Sequence, residues 1–236
     1  MTDIPKARPA STVVLLRDTD NGMETLMLKR NNALMFAGGL WVFPGGALEE
    51  GDIESANGDI EFAARIAAAR EAEEECGLRP DTEHMVHLSQ WTTPIVEPKR
   101  FETWIYAAPL TEDAGVIIDG SEIHDFAWIL VEAAVAKHEA GEFGMLPPTY
   151  ITLLSLLRYA TTAEMSACEN EIPPPYVFPV FTKAEGSMIV LFEGDSGYAT
   201  GDGSVAGARH RAIMREKGWE YVYNDVDDIY PPFVKN

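Results

Sequence analysis

Residues 70–78 read Arg-Glu-Ala-Glu-Glu-Glu-Cys-Gly-Leu, and residues 43–46 read Phe-Pro-Gly-Gly. The first segment constrains the chain most. Glu71, Glu74 and Glu75 stand at i, i+3 and i+4, so a helix carries them on one face. Glu71 and Glu75 are like charges one turn apart and destabilise that helix unless a cation lies between them. A hard divalent ion suits the set, because Mg²⁺ and Mn²⁺ prefer carboxylate oxygens. At about 100° per residue, Phe62, Ile66, Ala69 and Cys76 form an apolar stripe with the three glutamates opposite. The helix is therefore expected to pack its stripe on a core and leave its acidic face open. Arg70 is placed to brace Glu74, and Gly77 sits where a left-handed residue ends a helix. Read alone, the acidic run also describes a solvated helix face. The Phe-Pro-Gly-Gly turn upstream turns the reading toward a site.

The pattern Arg-Glu-Ala-x-Glu-Glu-x-Gly-Leu at 70–78, preceded by Gly-Leu-Trp-Val-Phe-Pro-Gly-Gly at 39–46, resembles the Nudix box. Nudix hydrolases cleave nucleoside diphosphates linked to another moiety. The nine-residue core is complete, but the spacing before it departs from the family. The usual order is a glycine, five residues, a glutamate, seven residues and the arginine. Here Gly46 is followed after five residues by Asp52, and seventeen residues then separate Asp52 from Arg70. This reads as a ten-residue insertion that includes Glu54 to Asp59.

The resemblance implies roles for particular residues. Glu71, Glu74 and Glu75 hold Mg²⁺ or Mn²⁺, joined by the main-chain carbonyl of Gly45. Gly45 and Gly46 permit the close backbone approach that such a contact needs. Arg70 orients a glutamate of the box. The base is Glu74 or Glu75, or a loop acid such as Glu97 or Glu122. His124 and His210 are further acid–base candidates. Arg30 and Arg100 are candidates for substrate phosphate, since the planar guanidinium matches phosphate geometry; Arg100 is expected at a rim. Trp91, Trp104 and Phe101 are candidates for stacking on adenine, although their strand spacing favours the core.

Several looser features are similar to the peroxisomal coenzyme A diphosphatase branch of the family and its bacterial relatives. These are Trp-Thr-Thr-Pro at 91–94, Pro-Lys-Arg-Phe-Glu-Thr at 98–103, Gly194-Asp195, Ala-Arg-His-Arg at 208–211 and the widened box. Coenzyme A or an acyl-CoA is thus the first substrate expectation. The upstream Leu-Leu-Thr part of the coenzyme A signature is absent, and Arg30 is placed to supply its arginine. ADP-ribose or NADH is the alternative substrate class. A Nudix module that binds ligand without hydrolysis is the alternative from another class, and the intact Arg70, Glu71, Glu74 and Glu75 argue against it.

The net charge of −20 over 236 residues excludes a broad grip on a nucleic acid polymer, which needs a basic surface. It leaves room for a small anion bridged to acidic residues by metal. The two cysteines, Cys76 and Cys168, make no metal-spaced pair, and Cys76 reads as a small core residue. No secretory signal, membrane span or terminal address is read, so a cytoplasmic protein is expected, with a homodimer as the candidate assembly.

Along the chain, strands are expected at 11–17, 24–30, 40–43, 83–92, 101–108 and 122–130. The box helix starts near Ile60. A helix over 131–140 closes at Gly141, and another runs over roughly 149–166 with Leu153, Leu156, Leu157 and Ala160 at helical period. Strands follow at 188–193 and 208–215, with aromatic alternation from Trp219 to Tyr223. This is an α/β class chain, which the resemblance sharpens to a Nudix-type sandwich with a mixed sheet between helices. Residues 1–145 are expected to form the core. Residues 146–236 are expected to form an extension packed on it or on a second subunit.

Overall fold

The alternation of residues 8–30 about Asn21-Gly22 builds a hairpin, and the rest of the first sheet grows from it. In the computed structural model the described residues are 6–34, 37–95, 97, 99–110, 115–118, 120–227 and 233. The elements are β1 (Arg8–Thr19), β2 (Gly22–Arg30), β3 (Trp41–Val42), β4 (Gly45–Ala47), α1 (Glu50–Ser55), α2 (Ile60–Cys76), β5 (Val86–Thr92), β6 (Phe101–Pro109) and β7 (Ile123–Leu130). They continue as α3 (Val131–Ala140), α4 (Pro147–Leu156), α5 (Thr162–Glu169), β8 (Tyr176–Val177), β9 (Val180–Ala184), β10 (Ser187–Leu191), β11 (Arg209–Met214) and β12 (Trp219–Asn224).

The first sheet runs β3-β2-β1-β6-β5-β8, with β4 on β1 and β7 on β2. It is mixed: β1 pairs parallel to β6 and β5 parallel to β8, while β1–β2, β1–β4 and β2–β7 are antiparallel. Both faces are covered, so alternate residues of β1 enter different cores. Val13 and Leu15 meet α2, together with Leu26 and Leu28 of β2. Val14 and Leu16 meet α3 and α4 and the second sheet. That second sheet, β12-β11-β10-β9, is antiparallel. Its Val190, Ala212 and Trp219 lie in the same apolar cluster as β1. A buried imidazole ties the two parts. His138 of α3 donates Nδ1–H to the Phe143 carbonyl and accepts the Trp219 amide on Nε2. The amide can only donate, which fixes the proton on Nδ1.

The box helix keeps its expected limits. Asp59 caps it by accepting the Glu61 and Phe62 amides, and Gly77 closes it at φ 74°. Its packing differs from expectation. Ala69 and Cys76 of the expected stripe are buried, together with Ala63, Ala64, Ala67, Ala68, Ala72 and Glu75, while Phe62 and Ile66 lie only half buried at the flank. Small side chains let the helix sit close over β1 and β4. As a consequence Glu75, expected on an open face, is 7% exposed.

Other boundaries also move. The insertion before the box helix holds α1, whose Asp52 accepts the Glu49 amide at 2.9 Å in a capping box. Residues 82–84 form a 3-10 turn capped by Asp81, so β5 starts later than expected. The single helix expected over 149–166 is two. Thr161 caps α5, and Asp18 accepts both the amide and the hydroxyl of Thr162. Leu157 is consequently exposed rather than packed. Strands β4, β8 and β9 were not expected. Among the described residues no helix is long and apolar enough to cross a membrane.

Candidate active site

The turn after β3 and the last two turns of α2 make the site. Gly45 and Gly46 pair with Thr12 and Ser11 of β1, which presses the turn between sheet and helix. A methyl group on Gly45 would overlap the Ser11 carbonyl and Thr12, and one on Gly46 would overlap the Glu71 carboxylate. Backbone approach therefore requires Gly45, while a side chain at Gly46 would displace the Glu71 carboxylate. Pressed there, the Gly45 amide donates to Glu75 Oε2 at 3.0 Å.

Arg70 gathers the acidic groups. Its Nε and Nη2 reach Asp52 Oδ1 and Oδ2 at 3.2 and 3.0 Å, and Nη2 also donates to the Ala47 carbonyl at 3.2 Å. Its Nη1 reaches Glu71 Oε1 at 2.9 Å and both Glu74 oxygens at 3.4 Å. Burial alone would lower the guanidinium pKa, but the hydrogen bonds and charges of Asp52 and Glu71 raise it above its ordinary value. Asp52, the residue at the departure from the family spacing, is 4% exposed and belongs to the arginine's anchor.

The three glutamates differ. Burial pushes the Glu75 carboxyl up to about 8, against the opposing Gly45 amide, with the Glu71 charge adding to the rise. Burial likewise raises Glu71, against the pull of Arg70. Glu74 keeps a side chain 59% exposed. Arg30, at the end of β2, places Nη1 3.7 Å from Glu75 and Nη2 3.2 Å from Glu122. Among the described residues its buried Nε has no hydrogen-bond partner. Two buried or half-buried carboxylates raised by desolvation, beside an exposed third, offer oxygen donors of the kind a hard divalent cation takes. Among the described residues no three His, Cys, Asp or Glu side chains close around one point.

The remaining candidates fall in different places. Glu122 is joined to the cluster through Arg30. Glu97 donates its backbone amide to the Pro94 carbonyl at 3.2 Å. Arg100 is not at a rim: it is 8% exposed, with Nε on the Thr93 carbonyl. His124 is exposed on β7. His210 is buried among Phe192, Tyr221, Tyr223 and Phe233, with Nδ1 on the Glu193 carbonyl, which removes it from acid–base work at the turn. Trp91 and Trp104 are core residues. Phe101 is half buried, with the Lys99 ammonium 5.5 Å from its ring. Cys76 donates its thiol to the Ala72 carbonyl.

A family model described as NUDIX domain matches residues 6–148. The Caenorhabditis elegans protein named "Putative nudix hydrolase 7" is 26% identical, over 81% of this chain and 74% of that protein. The crystal structure of a NUDIX hydrolase from Alicyclobacillus acidocaldarius superposes with a TM-score of 0.65 at 21% identity, over 70% of this chain and 97% of that one. The latter likeness shows the fold.

Proposed function

The chain belongs to the Nudix family, and on that premise we propose that it hydrolyses the diphosphate linkage of coenzyme A or an acyl-CoA with Mg²⁺ or Mn²⁺. Cleavage of a diphosphate linkage in a nucleoside diphosphate derivative is the activity of the family. The choice of substrate rests on the looser resemblances at 91–103 and 194–211 and on the widened box.

One observation carries the site assignment: Glu75 is drawn out of water onto the Gly45 amide, beside Glu71 and with Glu74 open. In this reading Glu71, Glu74 and Glu75, with the Gly45 carbonyl, hold the cation. When bound, it supplies positive charge to the diphosphate oxygens as the phosphorus is attacked. The chain's own residues do the rest. Arg70, clamped by Asp52, fixes the direction of the Glu71 carboxylate. Glu74, the carboxylate most open to solvent, takes the proton of the attacking water at a carboxylate oxygen. Arg30 turns its fork to a substrate phosphate from the far side of Glu75.

The test is product release from coenzyme A, acetyl-CoA, NADH, ADP-ribose and nucleoside triphosphates, each with Mg²⁺ and with Mn²⁺. Turnover of the coenzyme A compounds to adenosine 3′,5′-bisphosphate supports the full reading. Turnover of ADP-ribose or NADH alone keeps the metal site and discards the substrate. Ligand binding with no turnover under either ion favours a non-catalytic module.

A further inference from the structure

Phe126 stands out once the sheet faces are assigned. Leu26, Leu28 and Arg30 alternate onto the α2 face of β2. On β7, Trp128 pairs with Leu26, Phe126 with Leu28 and Ile123 with Arg30. Antiparallel partners share a face, so Phe126, across from Leu28, lies on the same face as Arg30 two residues further along β2, with one extra β7 residue where the register shifts between Lys29 and Arg30. Arg30 in turn lies 3.7 Å from Glu75. The aromatic ring and the acidic cluster therefore open on the same side of the sheet, joined by one arginine.

The ring's surroundings make it a platform. Leu26, Leu28 and Ile123 around it are fully buried, yet Phe126 is 38% exposed. Its strand neighbour on that face, Trp128, is covered by the Arg17 guanidinium, 4.3 Å above its ring. Among the described residues no ring or cation covers Phe126. An uncovered aromatic face beside a phosphate-directed arginine suits a planar base attached to a diphosphate.

We propose that Phe126 is the base-stacking residue of the site, receiving the purine of the nucleoside diphosphate while Arg30 faces the phosphates. The assignment rests on the functional reading above. It replaces Trp91 and Trp104, which the core already holds on both sides. It gives the enzyme a grip on the nucleoside half of the substrate that is indifferent to the group beyond the diphosphate.

Calorimetric binding of ADP and of ribose 5-phosphate to the full chain tests it, using wild type, Phe126→Ala and Phe126→Trp. Phe126→Ala is expected to weaken ADP about ten-fold or more, the size of losing one base–aromatic stack. Ribose 5-phosphate should be unchanged, and Phe126→Trp should bind ADP at least as well as wild type. In turnover, Phe126→Ala should raise KM and leave kcat within a few-fold. Equal ADP affinity in wild type and Phe126→Ala overturns the proposal, as does an equal loss for ribose 5-phosphate or no ADP binding by wild type. Turnover on the diphosphate panel reports separately on the hydrolase reading, so either can fail alone.

Discussion

Arg70 and Arg211 each clasp one aspartate with two nitrogens. Arg70 reaches Asp52 at 3.2 and 3.0 Å, and Arg211 reaches Asp195 at 2.7 and 2.7 Å. Their surroundings differ. Asp195 also accepts the Gly197 and His210 amides, and Arg211 also donates to the Gly203 carbonyl, so this network closes on itself beneath the 193–208 loop. Burial works against the Asp195 charge, but Arg211 and the two amides hold its carboxyl below the usual range. At the turn, Arg70 is shared among Asp52, Glu71 and Glu74, and Glu71 and the neighbouring Glu75 are raised by desolvation. A closed network holds a loop in place. An open one keeps negative charge available for a ligand at a cost in stability. The two regions should accordingly separate activity from stability under mutation.

The largest effect is expected in the open cluster. Glu74→Gln and Glu75→Gln should each lower turnover by roughly 10²–10⁴-fold, the range of a lost acid–base group. Far-UV spectra should be unchanged. The metal-free melting temperature of Glu75→Gln should equal or exceed that of wild type, because burial disfavours the charged form of this carboxyl more than the Gly45 amide and Arg30 favour it. Wild-type turnover in both variants would sink the assignment of the site.

The closed network should respond in the opposite way. Asp195→Asn or Arg211→Met leaves one buried partner uncompensated, which costs about 3–5 kcal/mol. Denaturant unfolding should register that loss, while activity per folded molecule stays near wild type. A proportionate fall in both would mean that the 193–208 loop takes part in the reaction.

Acid titration sharpens the contrast within the same region. Burial lowers His210 to about 4, and it lowers His138 and His87 as well. As pH falls below about 6.5, the unfolded chain binds protons that these folded imidazoles refuse. Stability is therefore complete above that pH and declines as pH falls toward 4. For His210 the loss is at most about 3 kcal/mol. Urea unfolding at stepped pH should show the decline, and His210→Phe should make it shallower. An identical slope in the variant would exclude His210 as a contributor.

How much of this was legible in the sequence depends on how local each determinant is. The box helix could be bounded because its cap, its stop and its glutamate spacing lie within the segment itself. Periodicity gives a direction about the helix axis and not what packs there, so the alanines that bring α2 onto β4 and bury Glu75 went unread. The α4–α5 break depends on Asp18, which meets Thr162 across 144 positions. The Asp195–Arg211 clasp spans sixteen positions across a loop, with no spacing rule to announce it. Phe126 opens a run of five apolar residues, 126–130, and nothing in that run marks the one that stays exposed.

Asp52 joins the two regions in one experiment. It is a buried fork partner like Asp195, but what it holds is a residue of the proposed site. Asp52→Asn keeps the shape and the Glu49 cap, and it removes the charge that fixes Arg70. The expected result is a turnover loss of about 10–100-fold, typical when the support of a ligating group is removed. The loss should appear mainly in kcat and in the Mg²⁺ concentration for half-maximal rate, with little change in substrate KM, because Asp52 faces Arg70 and not the substrate side. Asp52→Glu should recover part of the rate if α1 can yield the extra methylene. If Asp52→Asn loses stability on the scale of Asp195→Asn while kcat and metal dependence stay unchanged, the fork at the turn is structural, and the contrast between the two forks fails at its weaker end.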